Sequence, residues 1–243
     1  MSLLSKKEGF CEVNYDPSQP DIVWPVCTVL SQIRGESQAW AWDTINTPVD
    51  NTTGLPTAFT TTLINASTFG LGVAGDRNVV LTTSGANLDG LNIQHTGEQW
   101  TGATGRLYFT GKFTVAEITE SSILMGLAIT DTTVITAPTD GLFFRKADDA
   151  TTLNLVAVKN SVETAVAMIA PIVTATEYQI GFVYDASDAS AQGYVNGVST
   201  GAAITTNLPN DEMMTFSLAF HTGAAAAKVL YARDMAVCWI AGA

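Results

Sequence analysis

Charge is scarce in this 243-residue chain: only 14% of residues are charged, and eleven Lys and Arg stand against twenty-three Asp and Glu, a net charge of −12. Phosphate-binding grooves and polybasic membrane surfaces need clustered lysine and arginine, so neither nucleic acid nor a membrane is an expected partner. Low charge combined with 47% hydrophobic residues also excludes a disordered chain, which has the opposite balance. Long apolar runs are missing. Runs such as 123–129 and 165–170 fall well short of the ~20 residues of a spanning helix. The opening residues, Met1 to Glu8, show no apolar run after Lys6 and Lys7, so no secretory signal is expected. With no such signal, the sequons at Asn51 and Asn65 are read as chance. Cysteine is limited to Cys11, Cys27 and Cys238. An odd number with no C-x-x-C pair predicts neither a disulfide framework nor a zinc site, and fits a reducing cytoplasm. Cys238, inside Ala236-Val237-Cys238-Trp239-Ile240, reads as a small buried hydrophobe.

What is present divides the chain in two. Residues 1–38 carry Pro17, Pro20 and Pro25, two of the three cysteines, and little alternation. A residue before proline avoids the helical region, so this stretch is expected to be an extended, irregular N-terminal arm. Residues 39–243 consist of short runs rich in Thr, Val, Ile and aromatics, punctuated by Gly, Asn and Asp, the pattern of an all-β domain. In Arg106 to Val115, Leu107, Phe109, Phe113 and Val115 share one face, while Arg106, Thr110, Lys112 and Thr114 share the other. Three further stripes follow: Ile123, Met125, Leu127, Ile129; Tyr178, Ile180, Phe182, Tyr184; and Met214, Phe216, Leu218, Phe220. A period of two with one apolar face is half of a sandwich. Shorter strands are predicted at 78–83, 141–146, 153–159 and 228–240, and Asn196-Gly197 predicts a two-residue hairpin turn. Helical periodicity is confined to a turn or two within 29–40. The sequence therefore predicts an antiparallel two-sheet sandwich.

From about residue 100 onward, these strands resemble a concanavalin A-like (laminin G-like) jelly roll. The resemblance is carried by Arg106-Leu107-Tyr108-Phe109, the run 123–129, Asp140 to Lys146, Tyr178 to Asp185, Gly193-Tyr194-Val195-Asn196-Gly197 and a closing strand near 229–240. Together they are also similar to tailed-phage virion proteins of this fold. These motifs specify architecture far more than function.

Candidate chemistry is sparse. Hydrolases of this fold use paired carboxylates as nucleophile and acid. The nearest acids here, Glu117 and Glu120, lie three apart, which on a strand means opposite faces. His95 and His221 are the only histidines available as a base, and both read as surface or edge residues. Asp185, Asp188, Asn196 and Tyr194 form the one cluster comparable to a lectin calcium site, but loop and turn chemistry already accounts for them. Gly70-Leu71-Gly72-Val73-Ala74-Gly75 matches a dinucleotide fingerprint without the strand–helix context it needs. Trp42 and Trp239 are expected in the core, and Trp40 is expected on the same face as Trp42.

No catalytic residue, cofactor or metal is therefore expected, and the chain reads as a non-enzymatic structural or interaction protein. The resemblance implies a virion protein that decorates or cements the outer surface of a phage capsid and is made in the host cytoplasm. Its implied partners are the major capsid protein and further copies of itself, as a homo-oligomer and possibly a trimer. Phe10, Tyr15, Ile22, Trp24 and Pro25 of the arm are the expected interface. The alternative is a carbohydrate-binding, lectin-like module or a receptor-binding virion protein.

Overall fold

The computed structural model describes residues 4–8, 11–15, 37–42, 47–72 and 78–241. The strands run in chain order as β1 (Leu4–Glu8), β2 (Cys11–Tyr15), β3 (Ser37–Ala41), β4 (Phe59–Ile64), β5 (Thr68–Leu71), β6 (Val79–Thr82), β7 (Gly90–His95), β8 (Trp100–Thr101) and β9 (Arg106–Val115). They continue as β10 (Ser121–Ala128), β11 (Gly141–Lys146), β12 (Leu153–Lys159), β13 (Val162–Ile169), β14 (Glu177–Asp185), β15 (Ser190–Val195), β16 (Val198–Ile204), β17 (Met213–Thr222) and β18 (Val229–Ile240). All pairings are antiparallel. Sheet I has the order β13-β12-β11-β10-β17-β7-β4, with β8 alongside β17; sheet II has the order β16-β15-β14-β9-β18-β6-β5, with β3 alongside β18. A separate hairpin pairs β1 with β2.

The period-two stripes become the inner faces. Leu107, Phe109 and Phe113 of β9, Met125 and Leu127 of β10, Ile180 and Phe182 of β14, and Phe216 and Leu218 of β17 all enter one core and are at most 1% exposed. Phe109 organises its centre, with ring centroids 5.3 Å from Phe182, 6.4 Å from Phe216 and 6.5 Å from Phe144. Ile129, expected to extend the β10 stripe, lies just past the strand end, where its N–H donates to the Asp140 carbonyl at 3.1 Å. Trp40 and Trp42 do share a face: both rings meet Phe59 and Phe216. Trp42 is buried, and Trp239 packs on the core partly exposed, its indole N–H donating to the Thr104 carbonyl at 2.7 Å.

The Asn196-Gly197 turn forms as predicted. Both residues have positive φ, 50° and 76°, closing the β15–β16 hairpin at Val195 and Val198. Positive φ at both central positions matches the right-handed twist of the flanking strands. The helical turn considered for 29–40 is not found at its described end, where Ser37–Ala41 is strand β3; residues 29–36 lie outside the described residues. Cys238 requires a correction. It is fully buried, as expected, but it is disulfide-bonded and not a free thiol.

Candidate functional site

The two sheets present very different outer faces. On sheet I, the outward positions alternate with the core stripe, and a loop, 129–139, crosses part of this face. Val134 and Ile135 of the loop bury against Leu124, Phe143, Val156, Val158 and Ala219, forming a second small core outside the sandwich. Polar residues of the sheet tie down the loop backbone. Gln94 Nε2 donates to the Ile129 carbonyl (2.9 Å) and to Ser217 Oγ (2.8 Å), and Gln94 Oε1 accepts from the Asp131 N–H (2.8 Å). Asn92 Nδ2 donates to the Thr132 carbonyl at 2.5 Å. Asp131 in turn caps its own bend, with Oδ1 accepting from the Thr133 N–H at 2.8 Å and hydroxyl at 2.9 Å.

Beside this loop the face stays open. Arg145 on β11 sits directly opposite Asn154 on β12, which faces Ala167 on β13; one step along, Val156 faces Ala165. Arg145 and Asn154 are half-buried, whereas Ala165 and Ala167 are exposed. The Arg145 guanidinium lies 6.0 Å from the centroid of the Phe143 ring and pairs with Glu163 on β13. Around the two exposed alanines, Arg145, Asn154 and Glu163 supply a planar donor fork, an amide and a carboxylate on the outer face of sheet I. Planar polar groups around a small-residue floor can receive a ring bearing hydroxyls. Sequence reading missed these residues. Their signal is a lone polar residue at an outward position of a strand that is otherwise buried, as in Gly141 to Lys146 and Leu153 to Lys159.

The candidates read from the sequence lie elsewhere. Glu117 and Glu120 are not on a strand but in the turn before β10. Glu117 is exposed, and its Oε1 accepts from the Thr119 N–H at 3.0 Å, which holds its carboxyl below the ordinary range; Glu120 adopts φ 53°. His221 is not a surface residue. It is buried on the outer side of β17, its Nε2 lies 3.0 Å from Asn92 Oδ1, and burial lowers its pKa to about 4. Since Asn92 Nδ2 is committed to Thr132, the Asn92 oxygen accepts from the imidazole Nε2–H, and it is burial that favours the neutral ring. His95, at the end of β7, is half-buried between the Trp40 and Phe59 rings, and burial lowers its pKa as well.

Asp185, Asp188, Asn196 and Tyr194 do not converge. The Asp185 carboxylate accepts from Arg106 Nε at 2.5 Å and from the Ser187 N–H and hydroxyl at 2.9 and 2.6 Å. Burial opposes this, yet these bonds leave its pKa lowered. Asp188 is exposed, Asn196 Oδ1 accepts from the Gln179 N–H at 3.0 Å, and Tyr194 is buried on β15. No group of three or more metal-ligating side chains occurs among the described residues. Gly70 and Leu71 belong to β5, and residues 73–77 of the glycine-rich run lie outside the described residues. The arm candidates Phe10, Ile22, Trp24 and Pro25 also lie outside them, and Tyr15 ends β2 opposite Leu4. One buried base was not anticipated: Lys146, fully buried, whose ammonium donates to the carbonyls of Ser121 and Ala147 and whose pKa burial lowers to about 8.

No family model matches the chain, and no curated protein matches it in sequence. Solved structures do share its fold. A Shewanella oneidensis protein of unknown function superposes with a TM-score of 0.60 at 10% identity, over 84% of this chain and 87% of its own. The carbohydrate recognition domain of Emp47p gives 0.60 at 11% identity, over 86% and 96%. Peanut lectin gives 0.57 at 14% identity, over 84% and 97%, and a glycosidic hydrolase gives 0.57 at 11%, over 85% and 96%. The chain is a concanavalin A-like jelly-roll sandwich. At these identities the likeness establishes the fold and leaves function to the site.

Proposed function

We propose that this protein is a non-enzymatic carbohydrate-binding module that takes neutral oligosaccharides on the outer face of sheet I, over β11–β13. The observation that carries this reading is the placement of Arg145, Asn154 and Glu163 around the exposed Ala165 and Ala167, beside the anchored 129–139 loop. The guanidinium is compensated by Glu163 and the whole chain carries −12, so a polyanionic glycan is disfavoured. Hydroxyls of a neutral sugar can accept from Arg145 and Asn154 and donate to Glu163. Lectin and carbohydrate-recognition folds among the structural neighbours support the reading. The absence of catalysis belongs to the same proposal: Glu117 is engaged in its own turn and is not held across a cleft from a second acid. A glycan array tests it. Binding of neutral glycans, unchanged by a metal chelator and lost in Arg145→Ala, supports the assignment; no binding to any glycan, or equal binding by the variant, refutes it.

The capsid-decoration reading rests on the resemblance to tailed-phage virion proteins, with composition and the N-terminal segment beside it, and no feature of the sandwich favours it over glycan binding. Its test is shell binding by the purified protein, with association as an oligomer.

A further inference from the structure

Sheet II carries an anomaly on its outer face. Tyr108 of β9, Val183 of β14, Tyr194 of β15 and Cys238 of β18 alternate with the core residues Phe109, Phe182 and Val237, so they point away from the sandwich. Yet they are 3%, 9%, 6% and 0% exposed, nearly as sheltered as the core itself. Tyr108 sits directly between Val183 and Cys238 in the register. An outward apolar patch excluded from water needs a cover. A second observation identifies it. Cys238 is disulfide-bonded, and the only other cysteines, Cys11 and Cys27, both precede β3. That part of the chain also begins its entry to the sandwich beside the patch: β3 opens at Ser37 opposite Ile240, and Ala39 pairs with Cys238 itself.

We propose that the outer face of sheet II is an intramolecular docking surface for the N-terminal segment, residues 1–36, locked by a disulfide between Cys238 and either Cys11 or Cys27. The segment brings matching chemistry: Phe10, Tyr15, Ile22, Val23, Trp24 and Val26 are apolar or aromatic residues with no charge among them. Around the patch, the Arg106–Asp185, Lys112–Asp234 and Arg233–Glu177 ion pairs mark a polar rim on the same sheet, the arrangement of an apolar interface centre bounded by polar groups. The apolar residues of the segment are thereby used within the chain, and the disulfide closes a loop of more than 200 residues that constrains the unfolded state. This inference is independent of glycan binding, which occupies the other sheet.

The test uses the intact, full-length protein purified without reductant. Alkylation, proteolysis and mass spectrometry under non-reducing conditions identify the bonded pair, and hydroxyl-radical footprinting measures side-chain access. The expected result is an intramolecular link from Cys238 to Cys11 or Cys27, with the third cysteine alkylated, and oxidation of Tyr108 and Tyr194 several-fold slower than in the denatured chain. A free Cys238 thiol overturns the proposal. So does a link to a second copy, or an intramolecular link with Tyr108 and Tyr194 oxidised at the denatured rate.

Discussion

Replacing Phe216 with alanine probes the point where the two sheets and the β3–β4 side of the sandwich meet. Phe216 is fully buried, and its ring centroid lies 4.9 Å from Trp40, 5.9 Å from Trp42, 6.4 Å from Phe109 and 6.5 Å from Phe59. Truncating a buried phenylalanine costs about 3–5 kcal/mol through lost transfer energy and the cavity left behind. Aromatic pairs add roughly 0.5–1.5 kcal/mol beyond area, and four rings surround this one, so the upper half of that range is expected. Against a total stability of about 5–15 kcal/mol, this is a large fraction. For a domain of this size each kcal/mol lowers Tm by about 2–4 °C, so a fall of roughly 8–20 °C is expected. Urea unfolding gives the free energy directly, with the midpoint moving and the slope unchanged. Phe216→Leu, which keeps most of the volume, should lose less than about 1.5 kcal/mol. A loss below about 1 kcal/mol for the alanine variant would refute the assignment of the β17 stripe to the core.

Three further outcomes are expected. His221 is neutral in the fold with a pKa of about 4 against an ordinary 6.5, so between those values the unfolded chain binds a proton the folded chain does not. Stability should therefore fall as pH drops from 6.5 to 4, by up to about 3 kcal/mol, and His221→Gln should flatten that window in pH-dependent urea melts. A Cβ on Gly126 would sit 2.6 Å from Phe143 Cα at φ 155°, so Gly126→Ala should cost about 1–3 kcal/mol; a thermal melt identical to wild type would contradict the β10–β11 register. Gln94→Ala removes two hydrogen bonds to the 129–139 loop, at Ile129 and Asp131, and one to Ser217, and should cost about 1–3 kcal/mol, with faster hydrogen exchange at 129–139 than in β9; unchanged exchange would mean that Gln94 does not hold the loop.

The sandwich was legible because its strands bury one face each. In β9, β10, β14 and β17 the alternating residues carry the core almost without exception, and the Asn196-Gly197 turn states its own backbone conformation. Edge strands were less legible: β13 (Val162–Ile169) is largely exposed and so lacks a strong stripe. The second core under the 129–139 loop escaped because it rests on two apolar residues, Val134 and Ile135, in a threonine-rich stretch with no period. His221 was misplaced for a related reason. Its position at a strand end says nothing about its bond to Asn92, which itself reaches the Thr132 carbonyl forty residues away in sequence. The disulfide escaped because pairing depends on which face of β18 Cys238 occupies, and cysteine spacing is silent on that. The Arg145 group escaped because its meaning comes from strand register: Arg145, Asn154 and Ala167 are neighbours only across β11, β12 and β13.

Glycan binding on the outer face of sheet I is read out by backbone amide NMR spectra recorded during titration with the best neutral oligosaccharide from the array. Saturable shifts are expected at Arg145, Asn154 and 163–167, with the 129–139 loop shifting alongside and β9, β14 and β18 unmoved. Shifts clustered on sheet II, or a spectrum that does not respond to any neutral glycan, would contradict it.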